Sequence, residues 1–189
     1  MARRSFGLFR VDAPDLAKAG EALRNVGQET KTKIIVRALN RTGDSAFTQI
    51  KRVLASQTGL KVGRVASVMT KDRAHAGSLK FIITAKDKWT RITAGNFGAR
   101  ETQVGVSHRA WNRLTRAEGS FMIGSVAVTR KSSARLPLKS LYGPNVAREM
   151  VRGNRSLLAA QKSLGDVFVP RVLHEVDREL KKQKARYGL

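Results

Sequence analysis

Apolar or small side chains recur at Leu16, Gly20, Leu23, Gly27, Thr30, Ile34, Ala38, Thr42, Ala46, Ile50 and Val53. Steps of three and four place all of them along one face of a helix. Asp12 reads as its N-cap, with Pro14 in the first turn and Asp15 complementing the helix dipole. Unbroken to about residue 57, such a helix would be on the order of 65 Å long. That exceeds what a compact domain of 189 residues can flank. Gly27 and Gly43 are therefore the expected breaks or bends, and residues 1–11 read as an extended arm ahead of the helix.

After a short helix expected around 60–69, the period changes. SLKFIIT (78–84), RETQVGVSH (100–108) and GSFMIGSVAVT (119–129) carry β-branched and apolar residues at strand length, and WTRITA (89–94) suits a fourth strand. TAGNFGAR reads as a loop. The gaps are too short for crossover helices, so the strands pair antiparallel. Helical period returns at 145–152, stopped by Gly153. A last long helix, capped by Asn154 or Ser156, runs to about residue 184, with Leu157, Gln161, Leu164, Phe168, Val172, Val176 and Leu180 on its stripe and a kink at Pro170. The expected fold is α+β. A small antiparallel sheet is flanked by a long N-terminal and a long C-terminal helix, in one domain over residues 1–189.

Charge narrows the partners. Against 37 Lys and Arg stand 14 Asp and Glu, a net charge of +23. Self-repulsion of that size is offset by nucleic acid, an anionic membrane or an acidic assembly partner. The 22 arginines suit both phosphate recognition and protein docking. With no cysteine there is no disulfide, thiolate chemistry or zinc–thiolate cage, which fits a reducing compartment. No apolar run approaches the roughly 18 residues that span a bilayer. MARRSFGLFRV, interrupted by Gly7 and Arg10, does not read as a signal peptide.

Catalytic patterns are sparse. His75, His108 and His174 are scattered among basic or polar neighbours, and surface or satisfied histidines explain them better than metal ligation. A metal-dependent nuclease needs carboxylates converging on a sheet edge. The strand region offers only Asp72, Asp87, Glu101 and Glu118, while Glu29/Lys31 and Glu179/Lys181 fall in helices where i and i+2 diverge. Neither GxxxxGK[ST] nor GxGxxG occurs, and Ser120, Ser132 and Ser133 have no base placed beside them. The expectation is a protein without catalytic activity and without a cofactor.

Between Lys88 and Lys162, fourteen basic residues face three acidic ones, Glu101, Glu118 and Glu149. Arg109, Arg113 and Arg116, then Arg130, Lys131 and Arg135, fall in predicted loops and are the candidate DNA-facing side chains. Charge without a readout element implies contact with the phosphate backbone and no sequence preference. Only Phe97 and Trp111 lie near these arginines, so stacking on single strands is not expected. Each of these charges has a plainer reading as a solvated loop cation.

Two stretches carry a family resemblance. VRALNRTGDSAFTQIKRVL (36–54) contains Ala38-Leu39-Asn40-Arg41-Thr42, and VAVTRKSSARLPLKSLYGPNV (126–146) runs from a basic strand end through Arg135–Lys139 to Leu141–Pro144. Together they resemble the minor tail protein Z family of long-tailed bacteriophages, the lambda-like tail-completion proteins. GVSHRAWNRLTRAEGSFMI (105–123) is similar to the same family's glycine-valine strand and its return, so the likeness covers roughly residues 10–150. Asn145 departs from the pattern, which has a small residue such as Ser after the Gly-Pro.

The resemblance implies a virion component at the head-proximal end of the tail (the neck), assembled in the host cytoplasm and forming a homo-oligomeric ring. Its implied partners are the tail terminator, the head connector or head-completion protein, and viral double-stranded DNA. It also implies a role in finishing the tail and seating DNA for ejection. On this reading RLPLKSLYGPNV is an ordered turn in which Leu136, Leu138 and Leu141 anchor and Tyr142 meets a neighbouring protein. A turn that only closes the sheet onto the next helix remains open, as does a stand-alone, sequence-nonspecific nucleic-acid-binding protein of architectural or ribosomal type.

Overall fold

The computed structural model describes Glu21, Leu23, Arg24 and residues 27–152 and 155–187. The expected N-terminal arm, the Asp12 cap, and the Gly153 stop with its neighbouring Asn154 cap lie outside the described residues. The helices are α1 (Gln28–Thr58), α2 (Val62–Ala66), α3 (Ala94–Phe97), α4 (Val146–Val151), α5 (Arg155–Ser163) and α6 (Val169–Tyr187). The strands are β1 (Met69–Asp72), β2 (Ile82–Ala85), β3 (Trp89–Arg91), β4 (Arg100–Thr102), β5 (Gly105–His108), β6 (Thr115–Glu118), β7 (Ser120–Ile123), β8 (Val126–Arg130), β9 (Leu138–Ser140) and β10 (Tyr142–Asn145). The class is α+β, with small antiparallel sheets that follow a long early helix and precede a long C-terminal one in the chain.

The described residues divide into two compact units. One comprises those of Met1–Ile50, Lys71–Thr84 and Leu157–Leu189, the other Lys51–Thr70 and Ala85–Ser156.

In the first unit, Ile34, Ala38, Thr42, Ala46 and Ile50 of α1 are buried at steps of four. Ile34 and Ala38 pack with Val169, Val172 and Val176 of α6, and Leu23, Phe168 and Leu173 close the cluster. The carboxylate of Glu175 is buried beside this core, at 1% exposure. Arg171 (2.8 Å), Arg178 (3.5 Å) and Arg37 (3.7 Å) surround it, and Arg37 also reaches Glu179 at 3.2 Å. Burying an ion is costly unless paired, and three guanidinium groups offset that cost here.

Gly43 does not break the helix as expected. It lies inside α1, where a Cβ would stand 2.3 Å from the ring of Phe81. The glycine admits an aromatic ring against the helix backbone. Gly27 does mark a boundary, immediately before α1. Three residues before Gly43, Asn40 clamps the segment after β1 through both its amide atoms. Its Nδ2 donates to the Ala74 carbonyl, and its Oδ1 accepts from the Ala74 N–H, both at 2.9 Å. One turn on, Asp44 accepts from Lys71 and, at 2.6 Å, from Arg73.

The expected last helix, with its kink at Pro170, runs as α5 and α6 joined by a π-helical turn at Leu164–Phe168. Pro170 follows at once. Its missing N–H and its ring disfavour a regular α-turn there, and the wider turn accommodates both.

In the second unit, β4–β5–β6 and β7–β8–β9 are antiparallel meanders, and β10 pairs antiparallel with β3. Backbone bonds from Ile92 to Leu141, Leu141 to Ala127 and Ala127 to Ile92 knit their edges together. Two expected strands are hairpins instead: RETQVGVSH folds into β4 and β5, and SFMIGSVAVT into β7 and β8. Gly105, at the start of β5, permits the next pairing: at φ 152°, with the Ala117 carbonyl 2.1 Å from where a Cβ would sit, only glycine lets β5 lie against β6. TAGNFGAR, expected as a loop, holds α3, capped by Thr93 Oγ accepting from the Asn96 N–H at 3.1 Å.

Gly43→Ala should destabilise the protein by about 1–3 kcal/mol through overpacking, although Ala is the better helix former by about 1 kcal/mol. Pairing it with Phe81→Leu should recover part of the loss. Urea-unfolding midpoints of the native protein and the two variants check this.

Candidate nucleic-acid interface

The chain between β5 and β6 sets the geometry. The Arg109 N–H donates to the Phe97 carbonyl at 3.0 Å, and a 3-10 turn follows over Ala110–Asn112. Trp111 and Asn112 both adopt left-handed backbone conformations at φ 55°, which Asn tolerates but which is unfavourable for a side chain as bulky as Trp. The turn is held from outside. Asn112 Nδ2 donates to the Ser56 carbonyl, and Gly59 leaves room for Arg109 and Asn112, whose backbone atoms would stand 2.9 and 3.0 Å from a Cβ there. The Trp111 indole N–H donates to Glu149 Oε1 at 3.0 Å, and Gln57 Nε2 donates to Glu149 Oε2 at 3.0 Å.

Glu149 owes its position to Asn145. The Asn145 side chain caps α4, accepting from the N–H groups of Ala147 and Arg148, while its Nδ2 donates to Asp87 at 2.6 Å. Asn145 thus has a structural role: an N-cap directly after Gly143-Pro144, both buried. Arg148 completes this corner, ion-paired with Asp87 at 3.4 Å and lying over the Trp89 ring at 5.0 Å.

Around Trp111 and Glu149 opens a cavity of about 580 Å³, also lined by Gln57, Arg113, Arg152 and Arg155. The fold brings Arg113 together with two arginines some forty residues later in the chain. Arg109 is exposed at the start of the turn, and Arg116 is exposed on β6 opposite Ser107. Arg130, at the end of β8, lies 5.7 Å from the Phe121 ring, while Lys131 and Arg135 are exposed in the bend after it. The six candidates therefore belong to two different sheets and the segments beside them. Among the described residues, none of the six has a carboxylate within ion-pair distance.

Of the apolar candidates, Leu138 and Leu141 are half-buried on or beside β9. Leu136 is 67% exposed and anchors nothing; its peptide bond to Pro137 is cis. Tyr142, opposite Arg91 on β10, is 47% exposed.

Sequence pattern alone does not single out Glu149, Gln57, Arg152 or Arg155 as a group. The one local signal is the i,i+3 spacing of Glu149 and Arg152 on a short helix before Gly153. Trp111, isolated among basic residues in the chain, acquires its neighbours only through folding. His75, His108 and His174 do not converge, and among the described residues no group of three or more His, Asp or Glu could hold a metal ion. No described helix is long and apolar enough to cross a membrane. Compared with family models, curated proteins and solved structures, the chain matches none.

His108 ends β5 and precedes the turn. Burial holds its pKa below the ordinary 6.5, and its Nδ1 accepts from the Ala110 N–H at 3.4 Å, which requires the neutral ring. The unfolded chain therefore takes up the proton first as pH falls. The stability contributed by neutral His108 is present above about pH 6.5 and lost below it. His108→Gln should flatten the fall in urea midpoint between pH 7 and pH 5.5; an unchanged fall would assign it to other groups.

Proposed function

We propose that this is a structural, non-enzymatic virion protein of a long-tailed phage. It completes the head-proximal end of the tail as a homo-oligomeric ring, beside the tail terminator and the head connector or head-completion protein, with double-stranded DNA in contact with its basic surface. The observation that carries the DNA contact is the segregation of charge. The arginines and lysines around Glu175, Glu179, Asp44 and Asp87 are neutralised within the fold. Arg109, Arg113, Arg116, Arg130, Lys131 and Arg135 are exposed and lack described acidic partners. Cations left uncompensated on a chain of net charge +23 favour a polyanion.

The place in the tail rests on the family resemblance, and exposed Leu136 and Tyr142 suit a protein neighbour on the same unit. The stand-alone nucleic-acid-binding reading draws on the same unpaired cations and makes no demand on assembly. Native mass spectrometry with the tail terminator separates the two. A ring or a complex is expected, and a strict monomer that never joins tails would leave only the second.

Duplex binding should be weak, sequence-blind and steeply salt-dependent. Changing Arg109, Arg113 and Arg116 together to Gln should flatten the slope of log affinity against log salt by up to about three units, at about 0.9 for each phosphate no longer neutralised. If that variant fails to join tails while its slope is unchanged, these arginines face protein. Supercoiled plasmid incubated with Mg²⁺ or Mn²⁺ should remain intact. Cleavage that disappears in Asp87→Asn or Glu101→Gln would overturn the non-enzymatic reading.

A further inference from the structure

We infer that the cavity beside Trp111 is a binding pocket for one unpaired nucleotide of a single-stranded nucleic acid, with the base stacked on the indole and the flanking phosphates on Arg113, Arg152 and Arg155. This rests on the reading that the protein meets nucleic acid, and goes beyond it, since phosphate contact with a duplex needs no pocket.

The first argument is the state of the tryptophan. Trp111 is held at φ 55° and is still 42% exposed, which removes burial as the reason for the conformation. A left-handed backbone at a bulky residue persists only where its surroundings over-determine it, and such positions gather at ligand sites. Here the surroundings are Asn112 on the Ser56 carbonyl, the close approach of Gly59, and Glu149 on the indole N–H. With its N–H engaged, the ring offers the cavity apolar surface rather than a hydrogen bond. A fixed aromatic surface is what a base stacks on, whichever base it is.

Charge is the second argument. Glu149 is 6% exposed and both its oxygens already accept, from Trp111 and Gln57. Arg113, Arg152 and Arg155 line the same space without a carboxylate in ion-pair range among the described residues. One buried carboxylate against three guanidinium groups leaves the cavity cationic. Guanidinium forks suit phosphate oxygens, and their planes also stack on bases. A lone carboxylate from an acidic protein segment would engage one fork and leave the indole unused.

Size completes the case. The space of about 580 Å³ falls in the range of small-ligand sites, large enough for a nucleotide and larger than a carboxylate needs. Gln57 directs its amide N–H groups to Glu149 and the Arg152 carbonyl, so the amide orientation is set.

The test uses oligothymidylate of eight nucleotides and a duplex of the same length. Trp89→Phe makes Trp111 the sole tryptophan, since the chain has only two. Single-stranded binding should quench its fluorescence in step with the anisotropy of the labelled strand, and the duplex should bind without quenching. In the otherwise native chain, Arg152→Gln with Arg155→Gln should weaken single-strand binding about tenfold or more, as expected for loss of charge-assisted hydrogen bonds, and leave duplex binding unchanged. Salt-dependent duplex binding with no quenching, and no effect of the two arginines on the single strand, would overturn the pocket while the proposed function stands. Binding of neither nucleic acid would remove both the pocket and the proposed DNA contact. Quenching by polyglutamate but not by the oligonucleotide would assign the cavity to an acidic protein segment and overturn the inference.

Discussion

Scarcity of carboxylates is the constraint on which the rest of this structure depends. Fourteen acidic residues have to organise a chain that carries 37 cations, and several of them serve more than one partner. Glu175 gathers three arginines beside the valine cluster of α6, and Asp44 holds Lys71 and Arg73 against α1. Asp87 takes the amide of Asn145 as well as Arg148. Most of these pairs join residues far apart in the chain, so the neutralised cations lie where segments must be held together. Among the described residues, Arg109, Arg113, Arg116, Arg130, Lys131 and Arg135 have no such ion pair. Repulsion among them costs least when they stand exposed with water around them, and the basic residues of 109–116 and 130–135 are all exposed.

Glu149 shows how one carboxylate can organise a surface as well as a core. Its two oxygens fix a tryptophan and a glutamine from elements far apart in sequence. Asn145 sets the helix start that aims it, and Gly59 with Asn112 sets the turn that meets it. None of these residues is chemically unusual alone. Their convergence turns an arginine-rich stretch into a cavity with a defined aromatic wall, and charge there becomes a candidate binding site rather than general solvation.

Where local pattern and local structure coincide, the reading from sequence holds. The early helix, the antiparallel pairing and the final helical segment follow from the period of apolar residues and from gap lengths. The differences arise where a distant residue decides. Gly43 looks like a helix breaker by propensity, but Phe81 packs on it and keeps the helix intact. Gly105 and Gly124 sit inside apolar runs that read as single strands, and each run folds back as a hairpin near its glycine. The short helix α3 is a single capped turn, below the length at which periodicity can be read.

What the sequence determined by itself was the class of the molecule and the sign of its charge. Alternation and helical period are local properties that burial must satisfy, and a net charge of +23 is independent of conformation. Only the tertiary structure decided which cations are neutralised inside the fold and which stand on its surface, because pairing depends on distance in space. It alone placed Arg113 with Arg152 and Arg155 around Trp111, since side chains that meet there are far apart along the chain.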